Sequence, residues 1–425
     1  MAPHRKTPRS AAVYLLTQIL GEGRLLAELV QNGALEGLDP ADRARAQRLA
    51  LDTLRGLERA DRILSKHMRK APPLFVHNVL RLGTVELCTG GDAHGIVNDA
   101  VNLVAANKRA QALKGMVNAV LRKVAQYGPE EWKILRVPRL PKWLRGPLVA
   151  AYGPEQMGRI EQVQFATPPL DITPKSADQA QNLADVLGGQ VVFGGTVRLH
   201  NAGQLSLLPG FADGQWWVQD AAAALPVRLL GDVAGQTVLD VCAAPGGKTM
   251  QLAAGGAHVT ALDISENRIK RVYENLDRTQ LTATVQAGNA LDHQGAYDAI
   301  VLDAPCSATG TIRRHPDLPY SKDGAKFGDL FALQAQLLDH AVSLLAPGGR
   351  MVYCTCSLFP DEGECQIDDL LARNSAMSVD RSALDRDHID PEWITSEGGL
   401  RLTPDILSDQ GGIDGFYMCV LTKAS

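Results

Sequence analysis

Twelve consecutive residues constrain this chain more than any others: Val238-Leu239-Asp240-Val241-Cys242-Ala243-Ala244-Pro245-Gly246-Gly247-Lys248-Thr249. The apolar run closing on Asp240 reads as a buried strand, the small residues as a tight loop, and Lys248 as the start of a helix. Gly246 and Gly247 carry no side-chain bulk, so a ligand can approach the backbone closely. The helix start favours an anionic group. Two ligand classes fit. Gly247-Lys248-Thr249 closes a phosphate-binding G-x-x-x-x-G-K-[ST] loop, but Cys242 stands where that loop needs its first glycine. The alternative is a nucleoside or dinucleotide site at the end of the first strand of an α/β sheet. Asp263 ends the next apolar run, 23 residues after Asp240. That is close to the spacing of roughly 20 residues at which a carboxylate meets ribose hydroxyls, and it favours the nucleoside. A helix cap is the other role open to Asp263.

The rhythm around this stretch is strand, helix, strand. Candidate strands are 237–242, 259–263, 284–287, 299–303, 350–355 and 416–421. Such alternation implies a mostly parallel sheet covered on both faces. Upstream, residues 9–127 read as all helical, rich in Ala, Leu and Arg. Asp39-Pro40 predicts a helix start and Pro72-Pro73 a break. A helix from Leu74 ends at Gly90-Gly91, and two more fit 95–106 and 113–125. Gly128-Pro129 and the Pro138/Pro141 region predict a linker, followed by a short helix over 143–152. Residues 165–215 predict a small α+β subdomain, with short apolar runs at 190–193 and 196–199. The domains expected are therefore 1–128 helical, 129–215 linker helix and small subdomain, and 216–425 α/β.

Charge separates the first domain from the rest. Residues 1–150 hold 24 Lys+Arg against 13 Asp+Glu, while the whole chain holds 43 against 47. A basic first third on an acidic remainder suggests a polyanion-binding module, although two solvated surfaces of opposite sign explain it equally. Basic residues precede an apolar run at 11–16, but Thr17 and Gln18 interrupt it, which favours an amphipathic helix over a signal peptide. No run of 18 apolar residues predicts a membrane span. The seven cysteines (88, 242, 306, 354, 356, 365, 419) show neither a disulfide framework nor zinc-ligand spacing. That pattern suits a reducing cytoplasm.

Two further strand ends carry reactive groups. Asp303-Ala304-Pro305-Cys306-Ser307 sets a carboxylate and a thiol at the C-terminal end of one strand, and Thr355-Cys356-Ser357 ends another. Open α/β sheets bind ligands at such ends. Two thiols beside a nucleoside site suggest covalent catalysis, although a buried small hydrophobe is the commonest fate of a free cysteine. Cys354 is expected to be one such hydrophobe, across its strand from Cys356. The residues alone leave open which thiol attacks.

Residues 240–249, 303–307 and 355–357, in this order, resemble the RNA 5-methylcytosine methyltransferases of the Nop2/Sun/Fmu type. The segments Gly95-Ile96-Val97-Asn98-Asp99-Ala100-Val101 and Gly115-Met116-Val117-Asn118-Ala119-Val120-Leu121-Arg122-Lys123 resemble the NusB-type RNA-binding helical domain. Their union is similar to the family members that act on small-subunit (16S) ribosomal RNA. Arg313-Arg314-His315-Pro316-Asp317 and Gly411-Gly412-Ile413-Asp414-Gly415 fit the same group, and the likeness covers nearly the whole chain. Hydrogen bonds between packed helices are the expected work of Asn98 and Asn118.

The resemblance implies a NusB-like helical domain and a Rossmann-like methyltransferase domain that uses S-adenosyl-L-methionine. The implied cofactor residues are Cys242, Ala243, Ala244, Pro245, Gly246, Gly247, Lys248, Asp263, Arg268, Asn289 and Asp303. It assigns attack on the cytosine to Cys356 and help with product release to Cys306, with Asp303 and Lys248 beside the base. Ribosomal RNA is the implied partner, with no metal and no membrane, for a cytoplasmic monomer. Two departures stand out: Asn289 where the family commonly has Asp, and Leu170-Asp171-Ile172-Thr173 where it usually has a basic or bulky residue and an Asn. The first alters the adenine side of the cofactor site, and the second weakens the case for RNA contacts from the small subdomain. Two other readings stay open, an RNA-binding assembly factor with an idle methyltransferase fold and an NTPase.

Overall fold

The computed structural model describes residues 6–200, 202–325 and 327–425. Its internal contacts divide the chain into two units: residues up to Thr167 together with Ile312–Gly324, and Pro168–Thr311 together with Ala325–Ser425.

The first unit is helical. Its helices span Pro8–Glu22, Leu26–Gln31, Pro40–Arg55, Leu57–Ser65, Leu74–Cys88, Ala93–Ala106, Lys114–Ile134 and Lys142–Phe165. Local chemistry starts several of them. Thr7 caps a helix with Pro8 at its first position, and Asp39 caps the one that begins at Pro40. The core joins Leu15, Leu16 and Ile19 to Val76, Leu80, Val117 and Leu121. Ile312–Gly324 packs within this unit, where the Asp317 carboxylate accepts the Leu26 N–H at 2.9 Å.

Three expectations fail here. The helix from Lys114 runs through Gly128-Pro129 to Ile134 instead of stopping near residue 125. Trp132 holds that extension. Its ring packs where a Cβ on Gly56 would sit, and Arg59 stacks over it while donating to the Leu135 and Arg136 carbonyls. The short helix at 143–152 is only half of what forms. Gly153, at φ +77°, turns the chain, and Pro154 begins a second helical segment to Phe165. The side-chain amides of Asn98 and Asn118 make no hydrogen bond among the described residues. Ile96, Ala100, Val117, Val120 and Leu121 form the apolar contact instead, leaving both amides in a groove with His94 and Arg122.

The second unit holds two sheets. β1 (Leu170–Pro174), β2 (Gln190–Val192), β3 (Thr196–Leu199) and β4 (Trp216–Val218) form an antiparallel sheet in the order β2-β3-β1-β4. Trp216–Val218 therefore pairs with the small subdomain. The sequence boundary at residue 216 put it with the α/β part. Asp171, on β1, forms a two-pronged ion pair with Arg198 at 2.7 and 2.8 Å, both side chains being buried. The same carboxylate accepts the Ala221 N–H at the start of the next helix.

The larger sheet comprises β5 (Thr237–Val241), β6 (His258–Asp263), β7 (Thr284–Ala287), β8 (Tyr297–Asp303), β9 (Leu345–Thr355), β10 (Met377–Val379), β11 (Leu400–Leu402) and β12 (Phe416–Lys423). The order is β10-β12-β9-β8-β5-β6-β7, with β11 against β12. β5 to β9 run parallel, and β12 is antiparallel to β9. Successive residues face opposite layers. Val238, Val301 and Val352 pack with helix Ala221–Leu230, while Leu239, Leu302 and Tyr353 pack with helix Phe327–Leu344. The strand order reverses between β5 and β8. That switch point opens a crevice at the carboxyl ends of the strands, which carry all three motifs.

Candidate active site

The loop after β5 turns on two left-handed residues, Cys242 at φ +62° and Gly246 at φ +102°. A non-glycine residue in that region is strained, and such strain collects at functional sites. Glycine suits the second position, where a Cβ would also crowd Val272 at 3.3 Å. Asp263, at the end of β6, accepts the Ala244 N–H at 3.1 Å and the Ser265 N–H at 2.9 Å. Arg268 pairs with it at 3.3 Å and donates to the Ala244 carbonyl. Asp263 thus anchors the loop, while Ser265 caps the helix that follows by accepting the Arg268 N–H. A carboxylate has about four acceptor sites, so it retains capacity for ribose hydroxyls. Asn289 follows β7, is exposed, accepts the Leu291 N–H and donates to Asp292. These residues form a cradle of small side chains and one buried acid, which fits a nucleoside-bearing cofactor.

Lys248 leaves the same loop and turns inward. Its Nζ is 2.8 Å from Asp303 Oδ2 and lies over the Phe416 ring, 5.3 Å from the centroid. Burial works to lower the pKa of this ammonium, but Asp303, Cys354 and Asp240 outweigh it, and the net direction is up. A lysine committed to an internal carboxylate does not suit a phosphate-gripping role, which counts against the NTPase reading.

Asp240 is fully buried and accepts from Thr249 at 2.6 Å, while its Oδ1 has no partner among the described residues. Burial pushes its carboxyl up to about 7, well above the ordinary carboxylate range. The folded state therefore holds a proton that the unfolded chain releases near pH 4. The stability from that proton is complete below about pH 4 and lost as pH rises through about 7. Thermal melts at pH 5 and pH 8 should show wild type losing more stability across this interval than Asp240→Asn. An equal loss would contradict the assignment.

Cys306, in the loop after β8, and Cys356, after β9, bring their sulfurs to 3.5 Å. The adjacent loop ends are tied by Ala304 N–H to the Cys354 carbonyl at 3.0 Å and Gly310 N–H to the Cys356 carbonyl at 2.9 Å. Gly310 is a point of backbone crossing, where a Cβ would lie 1.9 Å from the Gly415 oxygen. Gly415 is required as well, since a Cβ there would lie 2.4 Å from Leu358 Cδ2 and 2.9 Å from the Gly310 Cα. The hydrogen bond to Cys356, burial and the charge of Glu362 together raise the Cys306 thiol well above its ordinary value.

Burial pushes Cys242 up to about 12, and burial followed by Asp303 raises Cys354. Cys354 is buried as expected, but it shares a face with Cys356, because residues two apart on a strand point the same way. Its sulfur lies 3.6 Å from Asp303 Oδ1.

Sequence reasoning missed the residues that hold the thiol loops. Glu362 is fully buried and accepts the Ser307 N–H at 2.8 Å, the Ser307 hydroxyl, and Gln334 at 3.1 Å. Arg401, paired with Glu364, donates to the Ser357 carbonyl. The only signal in the sequence was a run of acids after Cys356, which looks like a helix start. Among the described residues, no group of three or more His, Cys, Asp or Glu could hold a metal, and no helix is long and apolar enough to cross a membrane.

Residues 227–422 match the family described as 16S rRNA methyltransferase RsmB/F, and residues 6–126 match the NusB family. The chain is 35% identical to ribosomal RNA small subunit methyltransferase B of Pseudomonas putida, over 98% of each chain. The crystal structure of the protein PH0851 superposes with a TM-score of 0.75 at 21% identity, over 98% of this chain and 99% of that one. A methyltransferase homolog protein from Pyrococcus horikoshii gives 0.54 at 26% identity, over 67% of this chain and 95% of that one. A NusB-like helical part followed by a methyltransferase part with a mostly parallel sheet, together with near full-length identity of this order, shows that the chain belongs to the RsmB/F family of 16S rRNA methyltransferases.

Proposed function

We propose that this protein transfers the methyl group of S-adenosyl-L-methionine to C5 of a cytosine in small-subunit ribosomal RNA, through a covalent bond between Cys356 and C6. The observation that carries this reading is the pair of thiols 3.5 Å apart beside the Lys248–Asp303 pair at the switch point of the sheet. Residues 242–247, Asp263, Arg268 and Asn289 would hold the cofactor. When bound, it supplies the electrophilic sulfonium methyl that C5 takes.

Cytosine C5 is too weak a nucleophile unaided, and the protein's own groups change that. Addition of the Cys356 thiolate to C6 makes C5 enamine-like. As the thiol adds, N3 of the base takes up a proton delivered through Asp303, and the Lys248 ammonium 2.8 Å from that carboxyl group offsets the charge. Cys306, within reach of Cys356, takes the C5 proton after giving up its own to solvent, and the electrons of that C–H bond expel Cys356 as thiolate. A paired target must be flipped or presented in a loop. The groove with His94, Asn98, Asn118 and Arg122 suits a contribution from the helical unit to gripping RNA, because these side chains carry no hydrogen bond among the described residues. A ribosomal substrate implies that the reaction takes place in the cytoplasm.

Incubation with radiolabelled S-adenosyl-L-methionine and unmodified 16S ribosomal RNA should place label in RNA that digests to 5-methylcytidine. Label at another base position would refute the C5 assignment. Absence of transfer, with ATP hydrolysis instead, would refute the methyltransferase reading.

A further inference from the structure

The two thiols sit in unlike surroundings, and Glu362 makes the difference. Its carboxylate has zero exposure and, among the described residues, accepts from neutral donors, namely the Ser307 N–H and hydroxyl and the Gln334 amide. Ser307 directly follows Cys306. Its hydroxyl also reaches Ser357, the residue after Cys356, at 3.0 Å. Ser357 in turn lies 3.3 Å from Thr309, whose hydroxyl accepts the Leu358 N–H at 2.9 Å. The Glu362 carbonyl accepts from Tyr353 at 2.9 Å and from Thr355 at 3.1 Å. One residue therefore grips both cysteine loops through hydroxyls, while its negative charge lies beside the Cys306 loop.

We infer that Glu362 is a positioning residue that makes the dithiol asymmetric, keeping the proton on Cys306 so that Cys356 is the thiol free to attack. This rests on the cytosine-C5 reading above and supplies what the residues alone left open, the identity of the nucleophile. A carboxylate within the loop disfavours a second negative charge on Cys306. Cys306 can then donate its S–H toward the Cys356 sulfur, 3.5 Å away, and support the anion there. The titratable groups that face Cys306 are Cys356, Glu362 and the buried Tyr353 phenol. The upward shift of the Cys306 thiol agrees with this arrangement.

The test uses the full-length protein without RNA or cofactor, so that it is independent of turnover. Iodoacetamide labelling across pH 6–10, read site by site by mass spectrometry, gives a midpoint for each thiol. In wild type the Cys356 midpoint should lie at least about one pH unit below that of Cys306, a tenfold difference in thiolate. Glu362→Gln keeps the shape and removes the charge, and should lower the Cys306 midpoint by about one unit. Ser307→Ala keeps the charge and removes one link, and should preserve the order.

A Cys306 midpoint at or below that of Cys356 in wild type would overturn the inference, even if neither variant folds. So would an unchanged Cys306 midpoint in folded Glu362→Gln. Methyl transfer by the same wild-type preparation is scored separately. Failed labelling order with intact C5 methylation removes only the role of Glu362, whereas absent methylation removes the reading beneath it.

Discussion

Cys356→Ala is expected to abolish methyl transfer, whereas Cys306→Ala should stall the protein as an RNA adduct that survives a denaturing gel. The two thiols are 3.5 Å apart, so each variant removes one partner from the same small space. Without the Cys356 sulfur nothing adds to C6, and C5 never becomes nucleophilic. Turnover should fall below detection, with no adduct formed. Without the Cys306 sulfur the addition still proceeds, but the step that removes the C5 proton and expels Cys356 loses its helper. The covalent species then accumulates. Alanine is smaller than cysteine at both half-buried positions, so neither change crowds the loops. The measurement is gel mobility with labelled RNA in the presence of S-adenosyl-L-methionine. An adduct in Cys356→Ala and none in Cys306→Ala would reverse the two assignments.

Asp171→Ala should unfold the second unit at markedly lower temperature. Arg198 has no exposure, and the carboxylate meets it at 2.7 and 2.8 Å. Removing the acid leaves a buried guanidinium whose remaining hydrogen bond among the described residues goes to the Gln410 carbonyl at 3.1 Å, and it also strips the Ala221 N–H of its acceptor. Breaking a buried pair on one side costs about 3–5 kcal/mol. For a unit of this size that corresponds to a fall of about 6–20 °C in melting temperature. Replacing both partners with leucine should recover much of the loss, because no isolated charge remains. Calorimetry on the single and double variants decides it. A single variant within 2 °C of wild type would show the pair to be dispensable.

Asp171 also explains one departure from the family pattern. Leu170–Thr173 is an inner strand of the small sheet, between β3 and β4, and its acid is committed to Arg198. In the sequence this segment was only a missing RNA contact. Asn98 and Asn118 moved the opposite way, from helix packing to an open groove. In both cases the residue type was visible but its facing was not, because facing depends on which neighbouring element packs against it.

By itself the sequence determined the elements and the carriers of the chemistry. The alternation of apolar runs marked β5, β6, β7, β8, β9 and β12. Glycine and small residues marked the cradle, and three strand ends marked the reactive groups. These signals are local, since side-chain period and backbone freedom act within a few residues. Helix ends were less legible at Pro129 and Gly153, where Trp132 packing and a second helix start overrode the breakers.

Only the tertiary structure decided the pairings: Lys248 with Asp303 across 55 residues, Cys306 with Cys356 across 50, and Glu362 with Ser307 across 55. Such pairs are set by strand order and loop closure, which no local period encodes. The glycine loop at 242–248 was therefore legible as a cradle from the start, while the carboxylate that distinguishes the two thiols became visible only when β8 and β9 lay side by side.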